Sequence, residues 1–329
     1  MWDRSEGIDD GPYLLHGDVI YMQNSQYNFS TALKLLTGKV HTRTNPLTGE
    51  QVPWRFMRNK GCNSIVACEN LLTFRSGAAA YYDLSNYGGI GHFGGFRSGC
   101  STNLIPANGV LNGPDYTRSC NCSYQNQTSL AMVYMPEVEV WTHGAVETPT
   151  GEVRQAGINF GAPGDRLAEN GTLWMEYPVP EFGEDPKNGF TFPNLGIQTT
   201  PEEPEVFAHH STRFGAGEIS WVTASGAVGL TSVTVPLGNT QERTYRVRLY
   251  FSEPEGAKPG QRKFDVAVQG RRVLDGFDVA KAAGSEGNGI VKEFTGVAAQ
   301  DALSVTLTPS AGSPIQQPVI SGIEILPAR

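Results

Sequence analysis

The residue types able to do chemistry in this chain are dispersed, and their spacing limits what they can do. The carboxylates available for acid and base work are Asp165, Glu218, Glu253, Glu255, Asp265 and Asp278. Glycoside hydrolysis needs two carboxyl groups facing one bond, supplied by different elements, so spacing alone pairs none of them. Asp265 and Asp278 read first as turn and strand-end hydrogen-bond acceptors. No G-x-S-x-G occurs, and no Ser or Cys stands at a recognised spacing from a His, so catalysis by a nucleophile has no signature. The histidines are His16, His41, His92, His143, His209 and His210. None is spaced to share a helix face with another, and adjacent His209 and His210 point to opposite faces if on a strand. No metal site is read from them. Calcium stays open as a sandwich ion, although no D-x-D-x-D loop is present. Gly88, Gly89, Gly91, Gly94 and Gly95 read as tight turns, because no Lys-Ser/Thr follows as in a phosphate loop.

The five cysteines are the most clustered chemistry. Cys62, Cys68, Cys100, Cys120 and Cys122 all fall in one part of the chain, and the rest has none. Zinc sites use closely paired ligands, and these spacings fit that poorly. A disulfide framework is favoured over metal or free thiols, with Cys62, Cys100, Cys120 and Cys122 as candidates. Cys68, in the apolar run Ile65-Val66-Ala67-Cys68, reads as a buried free thiol. Disulfides imply an oxidising compartment. The first residues, MWDRSEGIDDGPYLL, lack the basic-then-apolar pattern of a signal peptide, so a secreted or periplasmic location places the export signal upstream.

The elements that must position these groups are strands. At 329 residues the length favours about two domains. Hydrophobic content of 39% and charged content of 18% are below the usual shares, and the difference goes to 39 Gly and 21 Pro. That is an all-β, turn-rich composition. A net charge of −8 with scattered basic residues excludes a nucleic-acid footprint. No apolar run reaches the roughly eighteen residues of a membrane span. The strongest signal is Tyr245–Asp278. Tyr245, Val247, Leu249 and Phe251 alternate with Arg246, Arg248 and Tyr250, the period of a half-buried strand. Phe264, Val266 and Val268 alternate again after a Pro/Gly loop. Strand–turn–strand units are expected at 13–22, at 64–76 and from 103–109 with 128–141, and further strands at 30–40, with a Thr-Gly-Lys turn, and 78–84. In the second half they are expected at 156–161, 219–223, 227–236, 272–274, 290–294, 303–307 and 319–326. A helical turn is expected at 279–283. Residues 142–155 read as a linker, and 163–217 as an irregular insertion lying over the surface.

Two resemblances follow from these segments. YRVRLYFSEPE, KFDVAVQGRRVLDGFDVAKAAG and VISGIEIL, with AGINFG at 156–161, resemble the malectin and malectin-like β-sandwich family across the second half of the chain. ALKLLTGKV is similar to the repeats of quinoprotein-type (PQQ-like) propellers. GGFRSGC, IPANG and CNCSYQNQTSLA resemble the closing blades of large planctomycete-like exported bacterial proteins. The expected fold is therefore all-β: two to three propeller-type blades in residues 1–141, packed with a malectin-like antiparallel, jelly-roll-like sandwich in 156–329. A complete propeller has about four to eight blades, so PQQ is not expected. Upstream blades, or self-association, are the protein partners to expect.

The malectin resemblance implies a sugar site on loops at one end of the sandwich. Trp221 falls where animal members place a binding Tyr. The loop after Phe251 should carry a Tyr-Phe pair and instead reads Glu253-Pro254-Glu255-Gly256. A further Tyr is replaced near Val233. Ligand contact is then expected from Trp221, Glu253, and Trp174 and Tyr177 of the insertion, because carbohydrate sites combine aromatic faces with a few polar groups. Three readings stay open. One is a module binding polysaccharide or another glycan. The second is a carbohydrate-active hydrolase, lyase or oxidoreductase with its site between the domains. The third is a structural cap over an exposed sheet edge.

Overall fold

The computed structural model describes residues 12–22, 29–58, 61–86, 88–99, 103–115, 125–135, 137–179, 195–214, 219–254, 256–284 and 287–328. Cys100, Cys120, Cys122, Glu218 and Glu255 lie outside them. Two compact units are present. The first holds the described residues up to Asn45 and Glu50–Glu147; the second holds Pro46–Gly49 and the described residues from Thr148 onward.

The first unit is built from short antiparallel strands. The first six are β1 (Leu14–His16), β2 (Val19–Met22), β3 (Phe29–Lys34), β4 (Thr42–Thr44), β5 (Gln51–Pro53) and β6 (Arg55–Met57). They form a four-stranded sheet in the order β1-β2-β3-β6, with β4 and β5 as a separate hairpin. The next eight are β7 (Val66–Ala67), β8 (Leu71–Ser76), β9 (Ala78–Asp83), β10 (Ile90–His92), β11 (Ile105–Ala107), β12 (Val110–Gly113), β13 (Leu130–Val133) and β14 (Thr142–His143). They give the sheets β14-β10-β9-β8-β7 and β11-β12-β13. The core is aromatic. Trp54 is fully buried, with Tyr21, Phe56 and Tyr82 rings at 4.9, 5.3 and 5.4 Å in edge-on contact. Such packing adds to area burial because ring edges meet ring faces.

Antiparallel sheets are as expected, but a propeller is not shown by the described residues. Cys62 and Cys68 are both free thiols, Cys62 exposed and Cys68 half-buried. The disulfide reading therefore fails at Cys62 and has no support among the described residues. Cys62 sits in a turn held by the buried Arg58, which donates to the carbonyls of Gly61 and Asn63.

The second unit is a sandwich. Its strands are β15 (Ala156–Phe160), β16 (Arg166–Leu167), β17 (Leu173–Tyr177), β18 (Gln198–Thr200), β19 (Glu205–Ala208), β20 (Ser225–Val228), β21 (Ser232–Pro236), β22 (Arg243–Phe251), β23 (Phe264–Val268), β24 (Arg271–Phe277), β25 (Ile290–Ala299), β26 (Ala302–Pro309), β27 (Val319–Ile320) and β28 (Gly322–Pro327). One sheet runs β16-β17-β15-β28-β22-β25, a second β18-β21-β26-β23-β24, and a short third β19-β20-β27. The alternation of β22 is realised: Tyr245, Val247, Leu249 and Phe251 are buried. Val247 and Leu249 pair with Ile325 and Ile323 of β28, and Ile158 of β15 with Ile323, forming an aliphatic inner face. Phe251 meets Phe264 and Phe277 of the second sheet, with centroids 6.2 and 5.0 Å away.

Two expectations are corrected. Within the expected insertion 163–217, the described residues 163–179 and 195–214 are not irregular: they supply β16 to β19, and the rest lies outside the described residues. Leu173–Glu176 of β17 are buried, and β17 pairs in parallel with β15. Residues 219–223 form no strand. Ser220–Thr223 is a single helical turn, α1, closed by the Ala224 amide on the Ser220 carbonyl. β-branched and aromatic residues favour strands only where the pleated surface suits them. Here Gly289 packs so close to Thr223 that a Cβ there would lie 2.4 Å from Oγ1, and this contact fits the turn. Val279–Ala283 is helical as expected (α2), with Asp278 capping it through the Lys281 amide.

Candidate functional site

Strand alternation in the six-stranded sheet gives it a second, polar face. The register aligns Arg166, Trp174, Gly157, Glu324, Arg248 and Glu293 in one row across six strands. At its centre Glu324 is fully buried. Its Oε1 accepts from Asn170 Nδ2 and Thr172 Oγ1, both at 2.9 Å, and its Oε2 accepts from the Tyr250 hydroxyl at 2.9 Å. The Arg248 guanidinium lies 3.5 Å from the same oxygen and also pairs with Glu293. Three donors and a cation make burial of this carboxylate tolerable, because an unpaired charge there would cost several kcal/mol, of the order of 3–5. Burial, and then the Glu324 charge, pushes the Tyr250 phenol upward, so it stays a donor.

Trp174 lies over this row because its neighbours are glycines. A Cβ on Gly157 would fall 2.4 Å from its ring, and one on Gly322 2.9 Å. Its edge-on partners are Trp221 at 5.8 Å and Tyr250 at 5.1 Å. The Arg166 guanidinium covers the Trp221 ring at 4.7 Å. The fold thus brings Trp174 and Trp221 together. Trp174, however, is 0% exposed and Trp221 only 8%. A sugar stacks on a ring face open to solvent, and Trp174 offers none. Its expected role in ligand contact is replaced by packing.

Half-exposed rings occur instead where β15, β17 and β19 end. Tyr177 is half-buried, edge-on to Phe160 at 5.8 Å, with its hydroxyl 3.0 Å from Thr199 Oγ1. Next to it Gly161 touches the β19 backbone: a Cβ there would lie 2.6 Å from the Phe207 carbonyl oxygen, and Gly161 N donates to Tyr177 O. Phe207 and His209, two residues apart, share one face, and Phe207 lies over Gly226. Their rings are 6.0 Å apart, and His209 is stacked on Phe214 at 6.0 Å. Arg213 donates to His209 Nδ1 at 3.0 Å, and the Thr212 amide donates to His210 Nδ1 in the turn Ser211–Arg213. With its Nδ1 accepting from an arginine, a neutral His209 carries its proton on Nε2 as a donor. That tautomer suits hydroxyl recognition and disfavours metal ligation through Nε2. Among the described residues, no group of three or more His, Cys, Asp or Glu is placed to hold a metal ion.

Glu253 stands apart from both groups. It is nearly buried beside Arg262, with Nε 3.1 Å from Oε1. Neither carboxylate oxygen makes an aligned hydrogen bond. Burial raises its carboxyl to about 7; Arg262 opposes the rise and Asp278 adds to it. It is a buried carboxyl held against a guanidinium at the β22–β23 connection.

Phe207, His209, Phe214 and Arg213 were missed as a set. The sequence signal was the spacing Phe207-x-His209 in a strand. A reading of the histidines as metal ligands, and of 163–217 as irregular chain, passes over that spacing.

No curated protein matches the chain. Among solved structures, it is similar to Bacteroides uniformis β-glucuronidase at 10% identity, with a TM-score of 0.38, over 53% of this chain and 18% of that one. It is also similar to the ANXUR2 extracellular domain from Arabidopsis thaliana at 17% identity, with a TM-score of 0.39, over 53% and 41%. A third is the ANXUR1 extracellular domain from Arabidopsis thaliana, at 17% identity and a TM-score of 0.37, over 60% and 56%. The chain thus spans less than two thirds of the length of each. Residues 234–323, running from β21 into β28 and contributing to all three sheets of the sandwich, match the family model of the malectin domain.

Proposed function

We propose that the second unit is a carbohydrate-binding module and that its ligand lies on the Tyr177, Phe207 and His209 surface. The malectin-domain match across residues 234–323 carries this reading. The surface supplies what a pyranose needs: half-exposed rings for its C–H face and imidazole N–H groups for its hydroxyls. Arg213, exposed and bonded to His209, fixes the ring orientation. Trp221 contributes indirectly, by packing α1 against Trp174 beneath the Arg166 guanidinium.

The same proposal places the protein outside the cytoplasm, secreted or periplasmic, and reads the antiparallel sheets of the first unit as propeller-type blades. No helix among the described residues is long and apolar enough to cross a membrane.

The test is binding of the full chain to immobilised and soluble polysaccharides by glycan array and calorimetry, with Phe207→Ala and His209→Ala beside the unaltered protein. At least a tenfold weaker association is expected for Phe207→Ala, since loss of a stacked ring is worth about 0.5–1.5 kcal/mol beyond its buried area. Failure of the unaltered protein to bind any glycan would sink the module reading. Equal binding by all three proteins would move the site elsewhere.

A further inference from the structure

The connection around Glu253 has features that sugar recognition does not use. Phe251 ends β22 in the core, and Glu253 follows two residues later with its side chain only 10% exposed. The turn that supplies its partner Arg262 is tied to two other segments. The turn Lys258–Arg262 is tied internally by Gln261 N to Lys258 O and by Lys258 N to Gln261 Oε1. That turn is pinned to the start of α2 by Gly260 N donating to Asp278 Oδ2 at 2.6 Å. It is pinned to residues 310–318 by Arg262 Nη1 donating to Gln317 O at 2.7 Å and by Ile315 N donating to Gln261 O. Among the described residues, the charged groups that face Glu253 are therefore Arg262 from the turn and Asp278 from the start of α2. Residues 310–318, SAGSPIQQP, contain none.

We propose that Glu253 is a proton-operated latch: the turn Lys258–Arg262 sits closed over the protonated carboxyl and is released when that carboxyl ionises. The geometry sets the direction. Both oxygens are enclosed and lack aligned donors, and Asp278 adds a second negative charge nearby. A carboxylate in this seat gains only Arg262. In an opened turn it gains water on both oxygens, and burying an ion without hydrogen bonds is what the closed seat requires. The shift of the carboxyl from 4.5 to about 7 has the same sense. By linkage the closed form binds the proton more tightly, so closure is favoured below the folded value and opening grows as pH rises toward it. This holds whether or not the unit binds sugar.

Amide hydrogen exchange on the full chain tests it, after correction for the intrinsic pH dependence of exchange. The reporters are Lys258, Gly260, Gln261 and Ile315, with Ile158 and Leu249 of the core as controls. Opening of the reporters should increase several-fold per pH unit from about 4.5 to about 7 and then level off, a linkage slope bounded at about tenfold per unit. The controls should not follow. Glu253→Gln, isosteric and uncharged, should hold the reporters at the protection the unaltered protein shows at its acidic end, at every pH. Flat protection in the unaltered protein, or a Glu253→Gln variant that still opens with rising pH, would overturn the latch. A carbon-13 titration of the Glu253 carboxyl serves as an independent readout: a midpoint near 4.5 would equally overturn it.

Discussion

The six-stranded sheet of the second unit has two buried faces built on opposite chemistry. The inner face, with Ile158, Ile323, Ile325, Val247 and Leu249, is aliphatic and packs on the second sheet. The outer face carries Trp174, Glu324, Tyr250 and Arg248 and is closed over almost as fully. The inner face is stabilised by area and tolerates swaps that keep volume. The outer face depends on each donor meeting its acceptor, because a buried group left without a partner costs about 1–3 kcal/mol, and a charge more. A carboxylate, an arginine and two tryptophans in one place resemble a binding site in composition. Their burial shows that composition and accessibility are separate properties.

The largest effect should come from Trp174→Ala. Removing a wholly buried Trp costs about 3–5 kcal/mol, and Gly157 and Gly322 beneath it supply no side chain to fill the space. Urea unfolding should show a lower midpoint with an unchanged slope, while the fraction still folded binds glycan normally. A variant of unchanged stability that has lost binding would return Trp174 to the ligand site.

Next comes Glu324→Gln. The amide keeps the shape but presents one nitrogen where Asn170, Thr172 or Tyr250 now donates, so at least one donor faces another. The expected loss is about 1–3 kcal/mol, measured by the same unfolding. If Ile323→Val on the inner face, expected at about 0.5–1.5 kcal/mol, costs more than Glu324→Gln, the contrast between the faces is wrong.

How far each face was legible follows from the kind of order each uses. The inner face repeats with period two, so Tyr245, Val247, Leu249 and Phe251 stand out in the sequence. The outer face is assembled across strands. Trp174, Gly157 and Glu324 are neighbours only through a parallel and an antiparallel pairing that no local pattern encodes. The strand carrying Trp174 lies between a Gly-rich turn and a Pro-rich segment, and it looked irregular. Ser220–Thr223 has strand-like residues yet forms a helical turn, whose Thr223 packs closely on Gly289. The motifs around Tyr245–Asp278 pointed to the malectin domain, and the match at 234–323 agrees with them. What the motifs could not convey is which aromatic rings remain exposed once the sheets close.

Glu253 extends the contrast to pH. Its carboxyl is raised from 4.5 to about 7 by burial first, with Arg262 opposing and Asp278 assisting. An acid raised in the folded state makes stability fall as pH rises between those two values. Thermal midpoints of the unaltered protein should therefore drop relative to Glu253→Gln from about pH 4.5 to about 7, with the gap constant above. The comparison isolates one group, since every other carboxylate is common to both proteins. A gap independent of pH would show that Glu253 is ionised throughout and held by Arg262 alone.

The smallest effect on stability should be at the surface proposed to bind sugar. Phe207 is half-exposed at the end of β19, so Phe207→Ala gives up only part of its buried area, about 1 kcal/mol at the usual 25 cal/mol per Å². The ring rests on Gly226, where a Cβ would lie 2.6 Å from it, so its position is set from below. Stability and affinity should separate here in the opposite sense to Trp174: an almost unchanged unfolding midpoint with glycan binding weakened tenfold or more. His209→Ala should behave likewise and also remove the acceptor Nδ1 to which the Arg213 guanidinium donates. His209→Asn, which keeps a side-chain amide donor, should recover part of the binding if an N–H to a sugar hydroxyl is what matters. Should Phe207→Ala instead unfold as readily as Trp174→Ala while the folded fraction binds normally, Phe207 belongs with the buried outer face and the module has no open aromatic surface at this end.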